Sequence, residues 1–156
     1  MQIREAREQD FVQICTLFTS EEELFWIYPS GTYPFTMDQL RHLSEVRCDL
    51  TVAEEEGKIL GFANLYKLEP GKWVFIGNVV VDRQCRGKGL GRKLVAYMLD
   101  LATNIYSLPE VKIAVFSDNT TALLLYSSFG FVPYEVEERP DFSGTRVALI
   151  HMSLNL

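Results

Sequence analysis

The sequence has no surplus of positive charge, and this limits the ligands it can bind. Its 156 residues include 15 Lys and Arg against 21 Asp and Glu, a formal net charge of −6. Binding an extended phosphate backbone needs a surplus of Lys and Arg, so we expect no nucleic acid partner. A small anion needs only a local cluster, and five cations lie close together in the chain: Arg83, Arg86, Lys88, Arg92 and Lys93.

Cysteine and histidine are scarce as well. The three cysteines, Cys15, Cys48 and Cys85, lack metal-ligand spacing with one another and with His42 and His151. We therefore expect no metal site, and we expect free thiols rather than disulfides.

Long apolar stretches are absent too. The chain contains no uncharged apolar run of the ~20 residues that would span a bilayer. Residues 1–8 have no apolar stretch of the kind found in a secretory signal. We expect a cytoplasmic protein without a membrane partner, and a homodimer is compatible with this composition.

The chain does contain enough apolar residues for one sizeable core. Hydrophobic residues make up 47% of it and no change in composition marks a boundary, so we expect residues 1–156 to form a single domain. The spacing of apolar residues predicts, in chain order, a strand at 2–6, a helix from residue 8, an irregular aromatic-rich segment at 21–36, a helix at 37–46, strands at 50–54, 59–68 and 73–81, a helix at 90–105, a strand at 111–116, a helix at 120–129, and strands at 131–138 and 146–154. This order predicts an α/β (α+β) fold with a mixed sheet.

The most informative segment joins the strand at 73–81 to the helix that follows it. Gly87, Gly89 and Gly91 occupy alternate positions there, among basic residues. Glycine lets a ligand approach the backbone closely, and the first turn of a helix offers unpaired N–H groups that favour phosphate. The alternative is a glycine-rich turn with solvated cations.

Two other phosphate-binding loops fit this segment less well. A Walker loop requires Ser or Thr directly after its lysine, and Gly89 follows Lys88. A dinucleotide fingerprint has the pattern Gly-x-Gly-x-x-Gly, whereas Gly91 comes only two residues after Gly89.

At these residues the sequence resembles the GNAT superfamily of N-acetyltransferases. Their cofactor motif is Arg/Gln-x-x-Gly-x-Gly/Ala, and Arg86-Gly87-Lys88-Gly89-Leu90-Gly91 matches every fixed position. A second segment, Asn119-Thr-Thr-Ala122-Leu-Leu-Leu-Tyr126-Ser-Ser-Phe-Gly130-Phe131, resembles the family pattern Asn-x-x-Ala-x-x-x-Tyr-x-x-x-Gly-Phe. The resemblance implies a mostly antiparallel central sheet with helices on both faces, splayed in the middle for the pantetheine arm of acetyl-CoA.

The resemblance also implies site residues. Backbone groups of the strand before the loop would pair with the pantetheine arm, Asn119 would contact it, and Tyr126 would be catalytic by protonating the leaving thiolate. The implied cofactor-binding residues are Val79, Val80, Val81, Arg86, Gly87, Lys88, Gly89, Leu90, Gly91, Arg92, Asn119 and Tyr126. Asn119 is also a good helix N-cap, and Tyr126 could equally pack its helix on the core.

The resemblance implies the reaction as well. The acetyl group would pass from acetyl-CoA to a primary amine of a small molecule or peptide by direct attack in a ternary complex, leaving CoA. The alternative is a module that binds acyl-CoA without turning it over. Cys85 has no activating partner in the sequence, so we expect no thiol nucleophile.

The sequence leaves the general base and the acceptor open. The strands at 73–81 and 111–116 contain no carboxylate, so a water chain or a loop carboxylate such as Glu22, Glu23 or Asp141 would remove the amine proton. The aromatic segment 21–36 would form the acceptor pocket, where Glu21–Glu23 could hold a cationic amine. A hydrophobic cap on the core is the other interpretation of that segment.

Overall fold

A computed structural model describes residues 1–156, which form seven strands and five α-helices. The strands are β1 (Gln2–Glu5), β2 (Cys48–Glu55), β3 (Lys58–Glu69), β4 (Trp73–Val81), β5 (Glu110–Phe116), β6 (Val132–Pro140) and β7 (Arg146–Asn155). The helices are α1 (Phe11–Cys15), α2 (Glu21–Ile27), α3 (Met37–Val46), α4 (Leu90–Asp100) and α5 (Thr120–Ser128). None of the helices reaches the length and hydrophobicity needed to cross a lipid bilayer.

All seven strands belong to one mixed sheet, in the order β1-β2-β3-β4-β5-β7-β6. Every neighbouring pair is antiparallel except β4 and β5, which are parallel. Successive strand residues point to opposite faces, so the buried neighbours Val52 and Ala53 belong to two different apolar clusters. One cluster packs against α4 and α5 and the other against α1–α3, so helices cover both faces of the sheet. This arrangement confirms the predicted fold class.

The sheet opens between β4 and β5. Their parallel pairing runs from Trp73 opposite Glu110 to Ile76 opposite Ile113 and then stops, although both strands continue. On its other side β4 stays paired with β3 as far as Val81. The two central strands are therefore splayed, as the family resemblance implied.

A β-bulge at Asn78 accompanies this opening. Asn78 has φ of +52°, a left-handed conformation that Asn tolerates better than most residues. Its side chain accepts a hydrogen bond from Nδ2 of Asn64 and donates one to the carbonyl oxygen of Ile27, both 2.8 Å long. The bulge thus ties the end of α2 to the open part of the sheet.

The prediction of irregular structure throughout 21–36 is wrong, because residues 21–27 form α2. Ser20 caps this helix by accepting a hydrogen bond from the N–H of Glu23, and three glutamates occupy its first turn at the positive end of the helix dipole. The cap and the glutamates are helix-start signals that the sequence contains. The aromatic residues and prolines that follow them led to the prediction of irregular structure instead. The helix ends before Pro29.

Candidate functional site

The segment between β4 and α4 exposes a row of backbone donors. None of the N–H groups of residues 87–92 donates a backbone hydrogen bond, since the first intrahelical donor is Lys93 to the carbonyl oxygen of Gly89. Gly87 and Gly89 have φ of +73° and +84°, values that side-chain-bearing residues rarely adopt. Six consecutive free amides at a helix N-terminus are suited to binding a phosphate or pyrophosphate.

A cavity of about 400 Å³ lies beside these amides, and we call it the loop cavity. It runs from the glycine-rich turn along the free side of β4 to the start of α5. Its lining includes every predicted cofactor-binding residue except Lys88: Val79, Val80, Val81, Arg86, Gly87, Gly89, Leu90, Gly91, Arg92, Asn119 and Tyr126. The ammonium group of Lys88 instead donates to the carbonyl oxygen of Gln84, at 3.2 Å.

Arg86 is held by protein groups on one wall of the loop cavity. Its Nε donates to the carbonyl oxygen of Val81 at 3.0 Å, and its Nη2 lies 2.8 Å from Oε2 of Glu23. Oε1 of the same carboxylate is buried without a hydrogen-bond partner. Glu23 therefore anchors α2 to the loop through Arg86, which forms part of the cavity wall.

Tyr126 and Asn119 also line the loop cavity. Tyr126 is only 6% exposed and packs edge-on against Phe131, with ring centroids 6.2 Å apart. Burial, with a smaller contribution from Tyr66, raises the pKa of its hydroxyl well above the ordinary tyrosine value, so the group stays protonated at neutral pH. Asn119 caps α5 by accepting a hydrogen bond from the N–H of Ala122.

A second cavity, of about 440 Å³, lies over the splayed strands, and we call it the sheet cavity. It is lined mainly by β4, β5 and β7 and by the residues after α2. Six residues line both cavities: Trp26, Ile27, Val79, Asn119, Ala122 and Tyr126. The two cavities therefore meet at the gap between β4 and β5, with Tyr126 at the junction.

The aromatic residues of segment 21–36 do not all face this junction. Trp26 lines both cavities and Tyr28 lines the sheet cavity. Phe35 is buried in the core, and Phe25 stacks on Phe116 with ring centroids 4.5 Å apart. The segment is thus partly a cap on the core and partly a cavity wall, so both interpretations describe part of it.

Sequence reasoning did not identify the histidine that lines the sheet cavity. His151 on β7 places Nε2 2.9 Å from Oε1 of Glu137, and the same carboxylate oxygen lies 3.0 Å from Nη2 of Arg139. This contact with His151 is the main cause of a lowered pKa for Glu137. No short motif marks the three residues, because only the antiparallel register of β6 and β7 brings them together.

Comparison with known proteins places the chain in a family. The model of the family described as "Acetyltransferase (GNAT) family" matches residues 11–131. Spermine/spermidine N(1)-acetyltransferase from Bacillus subtilis is 30% identical over 100 residues, which are 59% of this chain and 62% of that protein. The chain therefore spans less than two thirds of this relative's length.

Solved structures share the fold over the whole chain. A GCN5-related N-acetyltransferase from Kribbella flavida is 28% identical, with a TM-score of 0.80 and coverage of 99% of this chain and 97% of that one. The structure of yncA from Salmonella typhimurium with its cofactor acetyl-CoA has a TM-score of 0.81 at 23% identity, covering 100% of this chain and 94% of that one. The family match over most of the sequence, together with this shared fold, shows that the chain belongs to the GNAT acetyltransferase family.

Proposed function

We propose that this chain, as one domain over residues 1–156, transfers an acetyl group from acetyl-CoA to a primary amine by direct attack in a ternary complex. The observation that carries the proposal is the meeting of the loop cavity and the sheet cavity at Tyr126, through the gap between β4 and β5. Such an arrangement lets a cofactor enter from one side and an amine from the other. The reacting groups are then brought together at one point, which converts a bimolecular step into an effectively unimolecular one.

The residues of the loop cavity fit acetyl-CoA, which supplies the acetyl group as a thioester when bound. The free amides of residues 87–92 suit its pyrophosphate, and Arg92 adds positive charge. The unpaired side of β4 at Val79–Val81 leaves room for an extended arm to lie beside the strand. The Salmonella protein with this fold contains acetyl-CoA, which supports the assignment.

Tyr126 is proposed as the general acid. Its hydroxyl stays protonated because burial raises its pKa, and it lies at the junction where the thioester sulfur would sit. As the amine nitrogen bonds to the carbonyl carbon and the carbon–sulfur bond breaks, the hydroxyl gives its proton to the sulfur, which leaves as a thiol. Solvent then reprotonates the phenolate.

His151 is proposed as the group that takes the proton from the amine. It lines the sheet cavity together with Tyr126, and its side chain is 18% exposed, so an acceptor can reach it. The carboxylate of Glu137 orients the ring through the contact at Nε2. The other ring nitrogen, Nδ1, is then left to accept the proton.

Replacing His151 with Gln should lower kcat/KM for an amine acceptor by about 10²-fold at pH 7, within the usual range for general base catalysis. The loss should shrink above pH 9, where solvent itself holds more of the amine in its neutral form. His42→Gln is the matched control, because His42 lies on α3 with a 70% exposed side chain and touches neither cavity. If His151→Gln lowers kcat/KM by the same factor at every pH, His151 contributes through packing and does not act as the base.

The proposed function is tested by screening amines and peptides for thiol release from acetyl-CoA. Calorimetry with CoA, run in parallel, separates the proposal from a module that only binds acyl-CoA. Tight CoA binding with no thiol release for any amine class would support the binding module. Acceptor-dependent release, with the N-acetylated product identified by mass spectrometry, would establish the transferase.

A further inference from the structure

We propose that the acceptor is an amine whose molecule also bears an anionic group, a carboxylate or a phosphonate, held by Arg47 and Lys67 in the sheet cavity. The proposal rests on the proposed function and adds the substrate class. It differs from the polyamine chemistry named for the Bacillus subtilis relative. It also differs from the cationic acceptor that the acidic start of α2 suggested.

The charge of the sheet cavity is the first observation. The protein has a formal net charge of −6, yet no Asp or Glu is among the 24 residues that line this cavity. Its lining includes the cations Arg47, Lys67 and Arg139. Arg139 is paired with Glu137, whereas Arg47 and Lys67 form no ion pair. Two uncompensated positive charges therefore face the space where the acceptor would bind.

The fixed position of Arg47 is the second observation. Its guanidinium carbon lies 3.7 Å from the centroid of the Tyr66 ring, a cation–π geometry. Nη1 is buried without a hydrogen-bond partner and packs against Gly77, where an added Cβ would come within 2.9 Å of it. Gly77 is the first β4 residue beyond the last β4–β5 pair, so the guanidinium is held at the mouth of the gap.

An arginine held in this way is organised for a ligand that is not part of the protein. Leaving a buried guanidinium nitrogen unpaired costs free energy, and an anion brought close to the same guanidinium lowers that cost. The guanidinium of Arg47 carries a fixed positive charge that can pair with a carboxylate or phosphonate.

Lys67 supplies the second positive charge from the neighbouring strand. Its backbone has φ of +49° at an irregularity of β3 between Tyr66 and Glu69, an unfavourable conformation for a lysine. Its ammonium group lies 5.5 Å from the centroid of the Phe75 ring and 5.8 Å from that of Tyr66, the ring that Arg47 also contacts. Side chains from β3 and from the end of α3 thus converge on one part of the cavity.

Glu137 borders the sheet cavity, but its carboxylate is already held by His151 and Arg139. The other carboxylates that could hold a polyamine lie elsewhere. Glu23 lines the loop cavity and is paired with Arg86. Glu21 and Glu22 are exposed and line neither cavity. A molecule with several positive charges would bring them next to Arg47 and Lys67, where like charges repel. The sheet cavity therefore selects against polyamines.

The test uses pairs of amines that differ only in the anionic group: phenylalanine with phenethylamine, and 2-aminoethylphosphonate with ethylamine. For each pair, kcat/KM is measured in the wild type, in Arg47→Gln and in Lys67→Gln. Arg41→Gln is the matched control, because Arg41 lies on α3 outside the cavity. For each pair, the ratio of kcat/KM for the acidic amine to kcat/KM for the plain amine is compared between variants. This comparison cancels any difference in basicity of the two amines.

We expect Arg47→Gln to lower that ratio by about 10- to 100-fold, the range for losing a hydrogen bond to a charged group, and Lys67→Gln to lower it less. Affinity for CoA should not change, and Arg41→Gln should leave the ratio unchanged. Calorimetric titration of phenylalanine or 2-aminoethylphosphonate into the CoA-saturated protein should show weaker binding for Arg47→Gln. Because Lys67 is exposed, its variant keeps the test valid if Arg47→Gln unfolds.

The outcomes separate this inference from the proposed function. If spermidine or a plain amine is the better acceptor and Arg47→Gln leaves the ratio unchanged, transfer is established and the anionic acceptor is wrong. If no amine releases thiol while both anionic probes bind through Arg47, the cavity is as described and the transferase proposal fails. Phenylalanine preferred over the phosphonate, or the reverse, identifies the anion within the proposed class.

Discussion

Replacing Gly89 with valine is expected to abolish CoA binding in a protein that still folds. Gly89 is the N-cap of α4 with φ of +84°, and no neighbouring atom lies within 4 Å of where a Cβ would be. The substitution therefore creates no clash, but it forces a β-branched residue into a left-handed conformation. Relaxing that strain should change the backbone conformation at the start of α4, where the amides of the proposed pyrophosphate site lie.

A matched control exists in the turn between β2 and β3. Gly57 has φ of +79° and also has no atom within 4 Å of an added Cβ. Gly57→Val should incur the same backbone strain, about 1–2 kcal/mol for a left-handed residue, yet leave CoA affinity unchanged. Both variants are compared by thermal unfolding and by calorimetry with CoA. Unchanged affinity in a folded Gly89→Val protein would remove the phosphate-binding assignment.

Local signals made the cofactor side of the site predictable. A turn with three glycines between a buried strand and an amphipathic helix can be recognised from the sequence, because the strand, the turn and the helix are neighbours in the chain. The structure places them together with Val79–Val81, Asn119 and Tyr126 around one cavity. Their roles in binding acetyl-CoA stay predictions, while the splay of the sheet and the family are confirmed.

The acceptor side could not be predicted because its residues meet only through long-range pairing. His151 reaches Glu137 through the β6–β7 register, and Arg47 reaches Gly77 from the end of α3 across β3. A shift of one residue in the β6–β7 register would place His151 and Glu137 on opposite faces of the sheet. The ion pair of Glu23 in α2 with Arg86 also joins residues far apart in the chain, and it occupies one of the carboxylates that the sequence offered to a cationic acceptor.

Replacing Tyr126 with phenylalanine is expected to lower turnover by at least about 10-fold, towards the 10²- to 10⁴-fold range of general acid catalysis. The ring stays, so the edge-on contact with Phe131 and the packing of α5 are kept. Only the hydroxyl is lost, and with it the protonated group at the junction of the two cavities. Affinity for CoA should change little, because the proposed pyrophosphate site lies at residues 87–92. The measurement is kcat under saturating acetyl-CoA and acceptor, with calorimetry of CoA binding alongside.

Tyr106→Phe controls for the loss of a tyrosine hydroxyl as such. Tyr106 also has a raised pKa, but its cause is a hydrogen bond to Asp49, and the residue lines neither cavity. Its variant should lose some stability and keep the wild-type turnover. Wild-type turnover in Tyr126→Phe would mean that water or another group protonates the sulfur. Equal losses of turnover in both variants would mean that the effect of Tyr126 is structural. A proton donor at the junction would instead make the loss specific to Tyr126→Phe, with folding and CoA binding intact.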